Sequence, residues 1–368
     1  MHREAGERHR KRILELNELQ FVLGLKGIEN GGGNSAVDWV QAEWPLVYSG
    51  FVDRSVRLNL PDREVRVPQI VEFDNSVGRI PMASIEVRAI DDPFRLDPEI
   101  EHLTQAVIDE IRLAHLGITN GTSVRLAGCS SEADHGELRV QPVGHFDYLR
   151  TNLQMDRPLE GDVTLRQLAH PQGVLEPLEA SKTANPLGVD ILLFTAEGEM
   201  IVQKRSTRMA VRPGALAPSA SGGFDWTDVA GAATLADVPV WREATEELGI
   251  SGEQIRDMRV LGITRELARG GQPEAFFAGI VDARRDEIEA SWQAAKDRWE
   301  NSEIRFYDLG SESVAGLSEP EEFRCLEAAV ADFNEETLDE ASVTLQANVA
   351  LWLAWKRTEA LGEEDRVG

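Results

Sequence analysis

The chain has 368 residues, of which 42% are hydrophobic and 28% charged, a composition that excludes wholesale disorder and collagen-like fibres. At about 150 residues per domain, that length predicts two domains. Its 64 acidic and 38 basic residues leave a net charge of −26, a field that repels nucleic acid and anionic membranes and demands local cations for any phosphate chemistry.

No apolar window is long enough to span a bilayer, and the basic N-terminus lacks the apolar stretch of a secretory leader, so a cytoplasmic protein is expected. Cys129 and Cys325 are too few for a cysteine zinc site or a disulfide framework, and two buried thiols are expected.

Residues 3–20 predict a helix that starts basic, with Arg8 to Arg12 as a solvated face, and Gly31 to Gly33 form a connector. Four β-branched runs, Leu46–Phe51, Val56–Leu60, Val65–Phe73 and Ser84–Ile90, are separated by turn residues and predict an antiparallel β region. Asp97 can cap a helix with Pro98 at its first position, and Ile100, Leu103, Val107, Ile108 and Ile111 carry its apolar period towards Gly117. Strands at Ser123–Leu126 and Glu137–Val143 precede a polar connector from Asn152 to Asn185.

A second unit opens with a hairpin, Val189–Phe194 and Met200–Ser206, followed by the loop Arg212–Asp225 and a helix at about Val238–Leu248 that Asp237 can cap. Strands near Arg259–Glu266 and Ala275–Val281 come next, then helices at about Asp286–Glu300, Phe323–Phe333 and Leu338–Arg357. In the last helix Leu345, Val349, Trp352 and Leu353 form a core stripe. The expected organisation is an N-terminal α+β domain over residues 1–155, a connector over 156–184 and an α/β domain over 185–368.

The most informative segment is Trp241-Arg242-Glu243-Ala244-Thr245-Glu246-Glu247-Leu248-Gly249-Ile250. Side chains three and four apart share a helix face, so Glu243, Glu246 and Glu247 are expected to converge and offer hard oxygen ligands to magnesium. As a merely charged face, the same acids would cost an isolated helix only about 0.2–0.5 kcal/mol per pair. The order of types resembles the second half of the Nudix box, G-x5-E-x7-R-E-U-x-E-E-x-G-U. The preceding Gln203–Ser206, Arg212-Pro213-Gly214 and Ser221-Gly222-Gly223 also follow the family's order, and the resemblance spans roughly residues 185–310.

The first half of the box departs from the pattern. Its glycine position falls on Asp228 and its first glutamate on Thr234, so an insertion has entered the loop. Asp225, Asp228 and Asp237 are the candidates to replace the absent glutamate.

The resemblance implies a C-terminal Nudix α/β/α sandwich with a mixed sheet. It also implies magnesium, with manganese as the alternative ion, and hydrolysis of a diphosphate bond in a nucleoside-diphosphate-linked compound. By the same resemblance Arg242 orients the acids, Glu246 and Glu247 bind the metal, and Glu243 is a ligand or the base that activates water. The paired Gly222 and Gly223 match the family's turn, while Arg205, Arg208 and Arg212 are candidate forks for phosphate oxygens.

Glu266 and Glu274 flank a Gly-Gly loop, and by the resemblance either is a candidate for an extra carboxylate opposite the helix, Glu274 being the one taken as catalytic. His145–Tyr148, Thr151-Asn152 and Ala184–Gly188 resemble the start of the Nudix domain in a branch that includes UDP-sugar hydrolases, which ranks a nucleotide sugar first. The partners implied are a nucleoside-diphosphate small molecule and a second copy in a homodimer, with no nucleic acid or membrane. The alternative is a Nudix-like module that binds a nucleotide without turning it over.

Overall fold

The computed structural model describes residues 44–113, 119–159, 163–209, 211–310 and 320–361. The helix expected over 3–20, the Arg8 to Arg12 cluster and the Gly31 to Gly33 connector lie outside these residues. No helix among the described residues is long and apolar enough to cross a membrane.

The strands are β1 (Ser55–Asn59), β2 (Glu64–Asp74), β3 (Ile85–Ala89), β4 (Thr122–Glu132), β5 (His135–Gly144), β6 (Gly188–Phe194), β7 (Glu199–Arg205), β8 (Leu216–Ala217), β9 (Ala220–Gly223), β10 (Ile255–Glu266), β11 (Gln272–Val281) and β12 (Asn301–Asp308). The helices are α1 (Asn75–Gly78), α2 (Pro98–Leu103), α3 (Gln105–Leu113), α4 (His145–Arg150), α5 (Leu165–Ala169), α6 (Trp226–Val229), α7 (Arg242–Leu248), α8 (Arg285–Ala294), α9 (Pro320–Thr337) and α10 (Val343–Leu361). The fold is α+β, as expected. A nine-stranded mixed sheet runs β1-β2-β10-β11-β6-β7-β12, with β8 on β7 and β9 on β6, beside a three-stranded sheet β3-β5-β4.

The parallel pair β11 and β6 lies at the centre of the large sheet. Val189, Ile191 and Leu193 of β6 point into a core shared with α7, α8 and the small sheet, whereas Leu192 and Phe194 point into a second core closed by α9 and α10. Near-continuous apolar sequence is what a strand buried on both faces requires. Leu345, Val349, Trp352 and Leu353 all pack in the second core, as the helical period of α10 predicts.

Several elements differ from the sequence reading. Residues 44–47 form a helical turn and Ser49–Arg54 a 3-10 turn in place of the expected strand Leu46–Phe51. Trp44 and Tyr48, four apart, are the buried pair there, and Leu46 between them is exposed, so the helical period overrode β propensity. The large sheet also crosses the expected division between units, because β2 pairs antiparallel with β10.

β3 joins the small sheet in parallel with β5. The helix expected from Asp97 breaks at Thr104, whose hydroxyl donates to the Ile100 carbonyl at 2.6 Å. Strand β12 has no counterpart in the sequence reading, which extends a helix to Glu300; α8 stops at Ala294 and the chain then pairs antiparallel with β7. Of the two cysteines, Cys129 is half-buried and Cys325 exposed, not buried.

The connector from Asn152 to Asn185 is not a loose linker. Its helix α5 begins with a Thr164/Gln167 capping box, and Arg166 forks onto Asp156 at 2.6 and 2.7 Å. Asn152 and Asn185 are fully buried. The Asn152 amide donates to Asn185 Oδ1 at 2.9 Å and to the Arg269 carbonyl at 2.8 Å, and its oxygen accepts from Asn185 N at 2.9 Å.

Asn152→Ala leaves these buried groups unmatched, at a typical cost of about 1–3 kcal/mol each. Urea unfolding should therefore give a lower midpoint with an unchanged slope, and an unaltered midpoint would refute this account of the connector.

Candidate functional site

Helix α7 begins without a side-chain cap and ends at Gly249, whose φ of 71° supplies a left-handed stop. Ala244 and Leu248 anchor it in the core against β6. That anchoring turns Glu243 and Glu247, one helical turn apart, towards β9.

The Glu243 carboxyl packs directly on Gly222, at a point where any Cβ would collide with it. Glu247, only 3% exposed, accepts from Ser221 N at 3.2 Å, Gln203 Nε2 at 2.9 Å and Asn301 Nδ2 at 2.8 Å. Glu246 faces elsewhere and receives Lys296 Nζ at 2.6 Å and Arg242 Nη1 at 3.4 Å. The expected convergence of three acids is thus a pair plus an ion-paired third. Among the described residues, no group of three or more histidine, cysteine or acidic side chains is arranged to hold a metal.

Arg242 organises this end of the helix. It donates to the Gly223 carbonyl at 2.6 Å, pairs with Glu243 at 3.0 Å and reaches Asp228 at 3.2 Å. Of the three candidates in the altered loop, Asp228 is thus the one that meets Arg242, whereas Asp237 closes a capping box with Thr234 instead of capping α7, and Asp225 caps α6.

Burial pushes the Glu243 carboxyl up to about 7; Arg242 opposes this, and Glu246 and Glu300 add to it. Burial pushes Glu247 to about 8, helped by Glu300 and Glu243 and opposed by Arg205. Glu300, ahead of the unforeseen strand β12, had no motif to mark it.

On the other side of β9 lies a cavity of about 350 Å³, lined in part by Arg205, Arg212, Gly222, Gly223, Asp190 and Glu274. None of the α7 acids lines it. Arg205 reaches from this wall to Ser221 Oγ at 3.2 Å, and its charge acts on Glu247 behind the strand. Arg212 is engaged by Glu266 and by Thr344 Oγ1 at 3.1 Å, and Arg208 is exposed away from the cavity.

Glu274 belongs to this wall and not to the α7 face. It alternates with Ala275, which packs in the core beneath α7, and it is paired with Arg269. Arg269 also holds Glu266 at 2.6 Å and reaches Tyr148 Oη at 3.3 Å. Burial pushes Glu274 to about 8 against Arg269, while for Glu266 the opposing Arg212 and Arg269 overcome burial and hold it at about 2. Asp190, pushed to about 6 by burial against Arg212 and Arg269, escaped the sequence reading, although a lone charge within Val189–Phe194 was the available signal.

No family model matches the chain, and no curated protein matches it. Solved structures with partial likeness include DR0079 of Deinococcus radiodurans, 17% identical over 35% of this chain and 71% of that one, with a TM-score of 0.25. Another is RenU, a Nudix hydrolase of M. smegmatis, 18% identical over 42% of this chain and 85% of that one, with a TM-score of 0.20.

Two outcomes are expected. Gly222→Ala should displace the Glu243 carboxyl and lower stability, and a double-mutant cycle with Glu243→Ala should give a coupling of at least about 0.5 kcal/mol. A purely additive pair would remove the contact from the account. Asp190, Glu243, Glu247 and Glu274 bind protons more tightly folded than unfolded, so in chelator the melting temperature should fall as pH rises from about 4.5 through 6 to 8. Glu266 acts oppositely, contributing stability that is lost as pH falls from about 4.5 through 2. Scanning calorimetry from pH 2 to 8 reads both limbs; a flat profile above pH 5 contradicts the first.

Proposed function

We propose that the protein is a magnesium-dependent hydrolase that cleaves the diphosphate bond of a nucleoside-diphosphate-linked compound, with a nucleotide sugar as the first candidate. The observation that carries this reading is the pair Glu243 and Glu247, buried against Ser221–Gly223 where Gly222 leaves room for a carboxyl.

Two adjacent acids held at about 7 and 8 are short of positive charge, and their hard oxygens fit a divalent cation. Magnesium, if held by Glu247, would supply positive charge against the diphosphate and polarise its phosphorus–oxygen bonds. Arg242 keeps Glu243 in place through Asp228 and the Gly223 carbonyl, which supports a functional helix despite the altered box. Glu243, titrating near neutrality, suits proton acceptance from the attacking water; the bridging phosphorus–oxygen bond breaks and two phosphate esters leave. Arg205, beside Ser221, is the fork available to phosphate oxygens.

One observation favours a second reading. Lys296 and Arg242 already neutralise Glu246, as in a module that binds a nucleotide without cleaving it.

Phosphate-coupled turnover of a panel of nucleoside-diphosphate compounds with magnesium separates the two. Glu243→Gln should lose about 10²–10⁴ of the rate, Glu247→Gln nearly all of it, and Asp228→Asn less than either. Wild-type inactivity across the panel together with calorimetric binding of a nucleotide would leave the binding module, and full activity in both glutamine variants would overturn the roles assigned to Glu243 and Glu247.

A further inference from the structure

Asp190 stands on β6, a strand buried along its whole length, is 3% exposed, and among the described residues its carboxyl has no hydrogen bond and no ion pair. A buried carboxylate without a partner weakens a fold, so it calls for a reason beyond folding. It is not sealed in, because it lines the cavity beside β9 together with Tyr148, Gln272, Phe224, Ser342 and Thr344.

The nearby cations are engaged elsewhere. Arg212 holds Glu266 and Thr344, and Arg269 holds Glu266, Glu274 and Tyr148. Arginines 205, 212 and 269 line the cavity with the carboxyls of Asp190, Asp225 and Glu274. With Arg212, Arg269 and Glu274 already held in ion pairs, the group on this wall left to be matched is the Asp190 carboxyl, which calls for a ligand that offers N–H or O–H donors. The Tyr148 oxygen accepts from Arg269, which leaves its proton to donate into the cavity, and Phe224 supplies an apolar surface. The Gly222–Gly223 backbone and Arg205 line the cavity's edge towards α7, where the charged part of a ligand would lie.

We propose that this cavity seats the uncharged end, base or sugar, of a nucleoside-diphosphate compound, and that Asp190 selects it by accepting hydrogen bonds from its N–H or O–H groups. The naming of the ligand rests on the hydrolase reading; the binding itself requires neither metal nor turnover. Burial raises the Asp190 carboxyl above the usual carboxylate range, and Arg212 and Arg269 oppose it, favouring the ionised, accepting form.

The test is calorimetric titration of the full chain in chelator at pH 7.5 (roughly neutral, above the Asp190 midpoint of about 6) with inorganic pyrophosphate, nucleoside diphosphates and the corresponding nucleotide hexoses. Wild type is compared with Asp190→Ala and Asp190→Asn. Asp190→Ala should weaken the probe carrying the recognised group by about 10- to 100-fold, against less than about threefold for pyrophosphate. A loss already seen with nucleoside diphosphates assigns the base to the cavity, and a loss confined to nucleotide hexoses assigns the sugar.

Both variants should melt at or above the wild-type temperature, since each removes an unpartnered buried charge. Asp190→Asn, which keeps the volume, carries the test if the alanine variant unfolds. The proposal falls if no probe binds wild type, if every probe weakens equally, or if both variants melt well below wild type. Asp190-dependent binding without turnover would overturn the hydrolase reading while leaving this one standing.

Discussion

Burial of β6 on both faces is the constraint on which the rest of the structure depends. One row of its side chains is covered by α7, α8 and the small sheet, and the other by α9 and α10. A strand in that position tolerates polar atoms only where something meets them. Gly188 has no side chain because the Glu274 carboxyl occupies the space a Cβ would need, and Asp190 opens onto a cavity. The polar features of the site are therefore departures from an otherwise apolar strand.

Strand β9 divides two electrostatic environments. On one side, arginines 212 and 269 alternate with Glu266 and Glu274 in an ion-paired network. On the other, Glu243 and Glu247 lie within each other's field with Glu300 adding to it, and Arg242 and Arg205 only partly offset them. An ion-paired wall thus stands next to an acid-rich one. Arg205 touches both environments, through Ser221 on one side and the field of Glu247 on the other.

In the loop before α7 an acid reaches Arg242 although the residues there depart from the box that they resemble. Thr234, where the box has its first glutamate, caps a local turn with Asp237, while Asp228 in the α6 turn reaches Arg242 from a different point in sequence. A turn can deliver a carboxylate to the same guanidinium by another path, because an ion pair depends on distance and not on spacing along the chain.

Much was determined by the sequence itself. Periodicity located most of the strands and helices, including the stripe of α10, and residue order singled out α7, since apolar period and capping chemistry are local properties. The helical turn at 44–47 and strand β12 were missed, because short amphipathic runs satisfy both periods and only pairing with β7 or burial of Trp44 and Tyr48 chooses between them. The tertiary structure alone decided that Glu246 turns to Lys296, that Glu274 belongs to the cavity wall, that Asp228 supports Arg242, and that Asp190 is left without a partner. Each of these depends on which elements meet in space, and a carboxylate's partners, burial and protonation are set by groups distant in the chain.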